Sequence, residues 1–479
     1  MTKSTADSRG AVHSGMEFDL IVIGSGPGGY HAAIRAAQLG LNVACVEKDA
    51  VGGVCLNIGC IPTKALLHVG AEVRNAKHAE SFGVTFGEPT IDLAKVEGFK
   101  QSVVKRMTSG VGMLFKGNKV TLLTGAARFV DPTTIAVGGE KHSAKKFIVA
   151  TGSRPVSIPG FELDGERVVD STGALVIGSA VPKRLLVIGA GAIGLEFADV
   201  YQSLGSTVTV VELLEQIAPA ADADAAKELR KSLEKRGIDI RTGTKVESQK
   251  AGKGGTEVTL TGADSKSQKL VVDRILVAVG RRPNGRDLGL EEIGVEVDER
   301  GFVTVTNDHM QTTQPHVYAI GDVARAPLLA HKAMKEGLAA AEHAAGKPTA
   351  YDTVVPSVIY TSPELASVGM TEQEAKDAGF DLRVGRFPLS ASGRAASLGT
   401  DEGLIKVIGD AKTDLLLGCH IVGPSAGELI AEAALAIEMG ATLEDIALTQ
   451  HPHPTLAEGL MEAAEHAHGK AIHIANRRR

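Results

Sequence analysis

Residues 18–23, FDLIVI, form a short apolar run that reads as a buried parallel strand, and the glycine turn GSGPGG, Gly24 to Gly29, follows at once. The Ala-rich stretch up to Gly40 reads as a helix with its stop signal, and the next apolar run, LNVACVE, ends in Glu47. The same order returns at 184–212: RLLVIG, the turn Gly189 to Gly194, a helix stopped at Gly205, and STVTVVE ending in Glu212. In each copy the stop glycine stands 16 residues, and the acid 23 residues, beyond the first glycine. Strand, glycine turn, helix, strand and acid in this order make a dinucleotide-binding fold. Glycine lets the backbone approach a pyrophosphate at a helix N-terminus, and the acid bonds a ribose hydroxyl. One GxGxxG is weak evidence, but two in matched context call for two dinucleotides, one on Gly24, Gly26, Gly29 and Glu47 and one on Gly189, Gly191, Gly194 and Glu212.

Three more apolar runs stop at a glycine: FIVATGSRP around Thr151 and Gly152, ILVAVGRRPN around Gly280 and Arg281, and VYAIGD ending in Asp322. Each reads equally as the ligand-facing end of a sheet or as a strand meeting a turn. The segments EVTLTGADSKSQKLVVDRILVA and EVDERGFVTVTND carry the alternation of hairpins. From about Thr353 the texture changes. VVPSVIYTSPELASVG, DLRVGRFPLS, GLIKVIGD and LLLGCHIVG read as an antiparallel sheet covered by the helices EGLAAAEHAAG, GELIAEAALAIEMG and TLAEGLMEAAEHAHG.

The fold class expected is therefore α/β: two Rossmann-like dinucleotide-binding domains followed by a C-terminal α+β domain. A chain of 479 residues has room for three or four domains. The expected division is a disordered lead-in at 1–16, a first nucleotide domain at 17–158, a second at 159–284, a central domain at 285–352 completing the first site, and the α+β domain at 353–479. With 51 basic and 57 acidic residues and no internal basic block, nucleic acid is an unexpected partner. Arg477, Arg478 and Arg479 read as a solvated end without function. No apolar run approaches the ~18–20 residues of a membrane span, and residues 1–16 resemble neither a secretory signal nor a transit peptide, so a soluble, cytoplasmic protein is expected.

Four cysteines in so long a chain are no secreted disulfide framework. Cys45 and Cys419 sit in apolar strands and read as buried, inert thiols. Cys55 and Cys60, in GGVCLNIGCIPTK, are five residues apart. On an ideal helix that offset separates Cα atoms by roughly 8–9 Å, beyond the ~7 Å reach of a disulfide, so a bond there needs a distorted turn. Gly59 and Pro62 supply the local freedom and the helix start for one. Spacing alone leaves two buried free thiols as the alternative. Zinc is the weaker reading because no second pair completes a site, and no metal is expected. The pair opens eight residues after Glu47, beside the first nucleotide fold, which favours redox use.

The ordered set GSGPGG, GGVCLNIGCIPTK, GAGAIGLE, VAVGRRPN, AIGD, LLAHKA and HPHPTLAE resembles the flavoprotein pyridine nucleotide-disulfide oxidoreductases across residues 17–470, and within them the branch that oxidises dihydrolipoamide. The resemblance implies FAD on the first fold, with Ala127, Thr151 and Gly152 along its path, Asp322 on the ribityl chain, and the backbone near Ala330 at the isoalloxazine. Lys64 is expected at the flavin N5, paired with Glu196, and NAD on the second fold. It further implies that Cys55 exchanges with substrate while Cys60 touches the flavin. His453, oriented by Glu458, is the expected acid-base, donated across a homodimer whose interface is the C-terminal domain. The expected partner is a lipoyl-bearing E2 acyltransferase of a 2-oxo acid dehydrogenase complex or the glycine-cleavage H protein, supplied in trans. Val54, Thr63 and Pro452 depart from the usual pattern, and only Pro452 lies next to an expected catalytic residue. Related reductases acting on mercuric ion or glutathione, a transhydrogenase, and a non-catalytic flavin scaffold are the other readings. The absence of cysteine after Cys419 weighs against the mercuric reductase, the thiol pair against a transhydrogenase, and the intact thiols, base and glycine motifs against the scaffold, while a glutathione reductase prefers NADPH.

Overall fold

The computed structural model describes residues 17–476. The expected disordered lead-in and the terminal arginines lie outside the described residues. The chain forms two compact units, each assembled from separated segments. The first holds residues 17–53 with Gly110–Gly152 and Pro283–Tyr351, and the second holds Val54–Ser109, Ser153–Arg282 and residues 352–476.

In the first unit the strands Thr121–Thr124, Val43–Glu47, Phe18–Ile23, Glu140–Val149 and Val317–Ala319 lie side by side in that order, all parallel, with Ile21 opposite Ala44 on one side and Phe147 on the other. The run FDLIVI is apolar without alternation because both sheet faces are covered, and Leu20, Ile21 and Val22 are wholly buried. The start of Glu140–Val149 also pairs antiparallel with Thr134–Val137, which in turn pairs with Ala127–Asp131.

The helix Ala330–Ala344 holds all but the last two residues of the segment EGLAAAEHAAG, read from sequence as a cover for the C-terminal sheet. It belongs instead to the first unit, against the helix Pro27–Gln38. The reason is its small-residue face: a Cβ on Gly337 would stand 2.5 Å from the Gly28 carbonyl oxygen, and one on Gly28 would stand 2.8 Å from that of Ala333. Helices touching backbone to backbone need such residues on both sides.

The second unit holds a parallel sheet ordered Asp239–Arg241, Thr207–Val211, Arg184–Ile188, Arg274–Val277, Val168–Val169, and an antiparallel meander of Lys245–Gly252, Gly255–Thr261 and Ser267–Val272. Its C-terminal part is an antiparallel sheet ordered Ser357–Ile359, Glu364–Gly369, Leu416–Gly423, Leu404–Asp410, Leu382–Pro388. The helices Ala426–Glu438 and Glu458–Ala467 share one core with it, built on Phe387, Ile405, Val407, Ile421, Ile430 and Leu460.

The run Gly53–Phe82 is, contrary to the sequence expectation, long and apolar enough to cross a membrane by composition. Its packing is that of a core helix. It breaks at Gly59, and the segment Cys60–His78 buries Leu66 and Leu67 in one core with Leu195 and Ala198 of the helix Ala192–Ser203. Its Arg74 reaches Asp199, a fully buried carboxylate that also takes Arg236 and the Ser362 N–H.

Candidate active site

The two glycine turns are superimposable in their chemistry. The first glycines, Gly24 and Gly189, have φ of +105° and +102°, which side chains avoid. The third glycines lie under them: a Cβ on Gly29 would be 1.8 Å from the Gly24 carbonyl oxygen, and one on Gly194 would be 2.0 Å from that of Gly189. The middle glycines are different, because a Cβ on Gly26 or Gly191 meets nothing within 4 Å. Each stands immediately before a helix with no side chain capping it, so the free N–H groups of that helix end face open space a phosphate can fill. The acids match too. Glu47 accepts the Ser25 N–H at 3.0 Å and the Asp49 N–H at 2.9 Å, while Glu212 accepts the Ala190 N–H at 2.7 Å and the Leu214 N–H at 3.0 Å. Both carboxylates are thus fixed at the mouth of the turn, and the residues present fit a dinucleotide in each.

The first unit gathers Gly24, Gly26, Gly29, Glu47, Ala127, Thr151, Gly152, Asp322 and Ala330. Thr151 and Gly152 are tied to Asn284 by three hydrogen bonds of 2.9–3.0 Å. Asp322 sits in the tight turn Gly321–Val323, and Ala330 begins the helix Ala330–Ala344. Sequence reasoning passed over Glu336, which organises this corner. Fully buried, it accepts the Gly321 N–H at 2.7 Å, Arg325 Nε at 3.0 Å and Lys332 Nζ at 3.0 Å. The motif LLAHKAMKEG contains the Lys-x₃-Glu helical spacing that permits the pair, the only signal the sequence offered.

The second unit gathers Gly189, Gly191, Gly194, Glu196, Glu212, Gly280 and Arg281 with Cys55, Cys60, Lys64, His453 and Glu458. Arg281 donates to the Ser153 hydroxyl and carbonyl, each at 2.7 Å. The cysteines flank a real break: one helix runs Gly53–Ile58, Gly59 departs at φ −143° and ψ −115°, and a new helix starts at Cys60. A Cβ on Gly59 would lie 2.9 Å from the Val54 carbonyl oxygen, so glycine is what lets the two helices meet. Thr63 closes the break by donating its hydroxyl to the Gly59 carbonyl at 2.7 Å, a bond its serine counterpart would also make.

This break brings the two thiols into hydrogen-bond contact. Cys60 is brought down to about 7, chiefly because the Cys55 S–H donates to its sulfur, with the nearby Lys64 charge helping against the opposing effect of burial. Cys55 is pushed up for the complementary reason, since losing its proton breaks that bond and places two anions together. Burial first, and then the nearby Glu47 and Glu432 carboxylates, push Cys45 and Cys419 up, leaving them inert. Lys64 is held by both oxygens of Glu196, at 2.9 and 3.0 Å, and Glu196 also accepts the Tyr360 N–H at 3.1 Å. Tyr360 was not singled out from sequence; its ring centroid lies 4.6 Å from Lys64 Nζ.

His453 Nδ1 lies 2.8 Å from Glu458 Oε1, whose other oxygen accepts the Thr455 N–H at 2.7 Å. The Thr455 bond first, and then His453, hold the Glu458 carboxyl below its ordinary range. An ionised carboxylate on Nδ1 fixes the ring tautomer and leaves Nε2 for proton transfer. The His453 side chain is 80% exposed on the chain.

The pyridine nucleotide-disulphide oxidoreductase family matches residues 18–337, and the dimerisation domain of that family matches residues 355–464. The dihydrolipoyl dehydrogenase of Thermus scotoductus is 60% identical over 461 residues, 96% of this chain and 99% of that protein. The enzyme of that name from Geobacillus stearothermophilus is 46% identical, with 96% and 98% covered. Among solved structures, LpdA from Mycobacterium tuberculosis matches with a TM-score of 0.84 at 28% identity, over 93% of this chain and 99% of that one. The HOCl-induced flavoprotein disulfide reductase RclA from Escherichia coli matches with 0.83 at 27% identity, over 93% and 99%.

Proposed function

The chain belongs to the pyridine nucleotide-disulphide oxidoreductase family, and from that premise we infer that it oxidises protein-bound dihydrolipoamide to lipoamide and reduces NAD⁺ to NADH. The observation that carries the reading is a pair of thiols brought together at a helix break beside the Lys64–Glu196 ion pair, in a chain with two dinucleotide cradles.

Gly24, Gly26, Gly29, Glu47, Ala127, Thr151, Gly152, Asp322 and Ala330 would hold FAD, which when bound would supply the two-electron chemistry linking the thiols to NAD⁺. The protein's own residues do the rest. His453 removes a proton from the substrate dithiol, because only a thiolate attacks a disulfide. That thiolate bonds to the Cys55 sulfur and breaks the Cys55–Cys60 disulfide, releasing Cys60 as the thiolate that the Lys64 charge favours. The second substrate thiol then attacks the mixed disulfide and closes the lipoamide ring, and its proton passes to the departing Cys55, which is freed as a thiol. Glu458 holds His453 in the tautomer this requires. Gly189, Gly191 and Gly194 receive the NAD pyrophosphate, Glu212 its ribose, and Gly280 and Arg281 lie along the same nucleotide. No Lys or Arg occurs from Leu213 to Ala226 to hold a 2′-phosphate.

The high exposure of His453 on a single chain supports a homodimer in which it serves the partner's thiols. The substrate arrives on a lipoyl-bearing E2 acyltransferase or a glycine-cleavage H protein, in the cytoplasm. The domain division 17–158, 159–284, 285–352 and 353–479 belongs to the same proposal. The test is NAD⁺ reduction by free dihydrolipoamide and by lipoylated E2 or H protein. Turnover with these substrates and NAD⁺ is expected. No turnover with them, alongside NADPH-driven reduction of glutathione disulfide, would refute the assignment.

A further inference from the structure

We propose that Tyr360 is a positioning residue for the dithiol: its ring holds the Lys64 ammonium against Glu196 and so fixes the positive charge felt by the Cys60 sulfur. The inference rests on the reading of Cys60 as the thiolate. Three observations carry it. Lys64 Nζ lies 4.6 Å from the Tyr360 ring centroid while both Glu196 oxygens take the same ammonium. The Lys64 side chain keeps 33% of its exposure, so a flexible four-carbon stem has solvent to swing into unless something other than the ion pair restrains it. An aromatic face supplies that restraint by attracting a cation directionally.

The third observation is that the Tyr360 backbone is held independently of its ring. The Tyr360 N–H donates to Glu196 and the Ser362 N–H to Asp199 at 2.6 Å, one helical turn apart on Ala192–Ser203. Thr361 closes the loop by donating its hydroxyl to the Pro363 carbonyl at 2.8 Å. A substitution at Tyr360 therefore removes the ring and keeps the loop. The hydroxyl has no part in the proposal, since partial desolvation raises its pKa and keeps it neutral although the residue is 38% exposed.

The groups around the thiolate act in opposed directions. Cys55 and Lys64 favour it, and burial and Glu196 oppose it. Glu196 is buried and fixed, so when the ammonium swings out the carboxylate stays, and the balance at Cys60 turns against the thiolate. The experiment titrates the thiolate-to-flavin absorbance band of the dithiol-reduced holoenzyme against pH in wild type, Tyr360→Phe, Tyr360→Leu, Lys64→Met and Tyr360→Leu/Lys64→Met. Tyr360→Phe should match wild type. Tyr360→Leu should raise the midpoint by about half a pH unit, roughly a threefold loss of thiolate below it. Lys64→Met should raise it further, and the double variant should equal Lys64→Met, because the ring acts only through the lysine. A Tyr360→Leu midpoint equal to wild type while Lys64→Met shifts would overturn the proposal, as would a Tyr360→Phe shift equal to that of Tyr360→Leu. A Lys64→Met midpoint equal to wild type would instead refute the placement of the thiolate beside Lys64.

Discussion

Gly191 and Gly194 stand three residues apart in one turn, and the structure assigns them opposite sensitivities. Alanine at 194 places its Cβ 2.0 Å from the Gly189 carbonyl oxygen and 3.1 Å from Val187 Cγ1. The first contact is with backbone, so the helix must retreat by about 1 Å from the sheet to reach ordinary separation. Overpacking of this kind costs about 1–3 kcal/mol and lies at the top of that range when no side chain can yield, while alanine's helix preference over glycine returns about 1 kcal/mol. Gly194→Ala should therefore lose about 2 kcal/mol. Alanine at 191 meets nothing within 4 Å and keeps an ordinary φ of −76°, so stability should stay within about 0.5 kcal/mol. Its methyl group instead occupies the space through which a pyrophosphate approaches the helix end, and the KM for NAD⁺ should rise about tenfold or more, some 1.4 kcal/mol. Urea denaturation followed by circular dichroism, together with steady-state KM, reads both. Equal destabilisation in the two variants, or an unchanged KM in Gly191→Ala, would refute the reasoning.

Asp199→Asn leaves Arg74 and Arg236 without their carboxylate and should cost about 3–5 kcal/mol at neutral pH. The Asp199 carboxyl is held below its ordinary range by Arg236 first and Arg74 next, against burial, so its contribution is full above about pH 4 and is lost as pH falls through the folded-state value. The gap in denaturation midpoint between wild type and variant should accordingly narrow in acid. NAD⁺ should be preferred over NADP⁺ by orders of magnitude in kcat/KM, and Glu212→Arg should narrow the ratio; comparable use of both by the native enzyme would contradict the role of Glu212. Mixed dimers of Cys55→Ser and His453→Gln subunits should recover one intact site from two nearly inactive parents, and no recovery in verified mixed dimers would place the base in its own subunit.

The glycine turns were legible because their spacing has one physical solution: the strand Phe18–Ile23 and the glycine contacts follow from residues that fit nowhere else. The break at Gly59 was legible for a similar reason, since thiols five residues apart cannot meet across an unbroken helix. Partner choice was not. The Ala-rich helix Ala330–Ala344 shows a small-residue face, but nothing in its own pattern says which helix supplies the matching glycines. The run Gly53–Phe82 escaped as a membrane-length segment because Lys64 and His68 interrupt it, so it is apolar on average without being an unbroken apolar run. Lys64 and Glu196 are separated by 132 positions, so only the family resemblance could bring them together. Glu336 and Tyr360 owe their importance to partners the tertiary fold supplies.

The central claim is that Cys60 is the thiolate beside the flavin and Cys55 the thiol that meets substrate. The most direct measurement is the visible absorption spectrum of oxidised-flavin Cys55→Ser and Cys60→Ser holoenzymes as a function of pH. Cys55→Ser removes the S–H that lowers Cys60 most but keeps the Lys64 charge, so the charged form of Cys60 still gains as pH rises. Cys55→Ser should show a long-wavelength band without added reductant, strong in base and fading as pH falls, while Cys60→Ser shows none. A band in Cys60→Ser and not in Cys55→Ser would contradict the assignment and exchange the two roles.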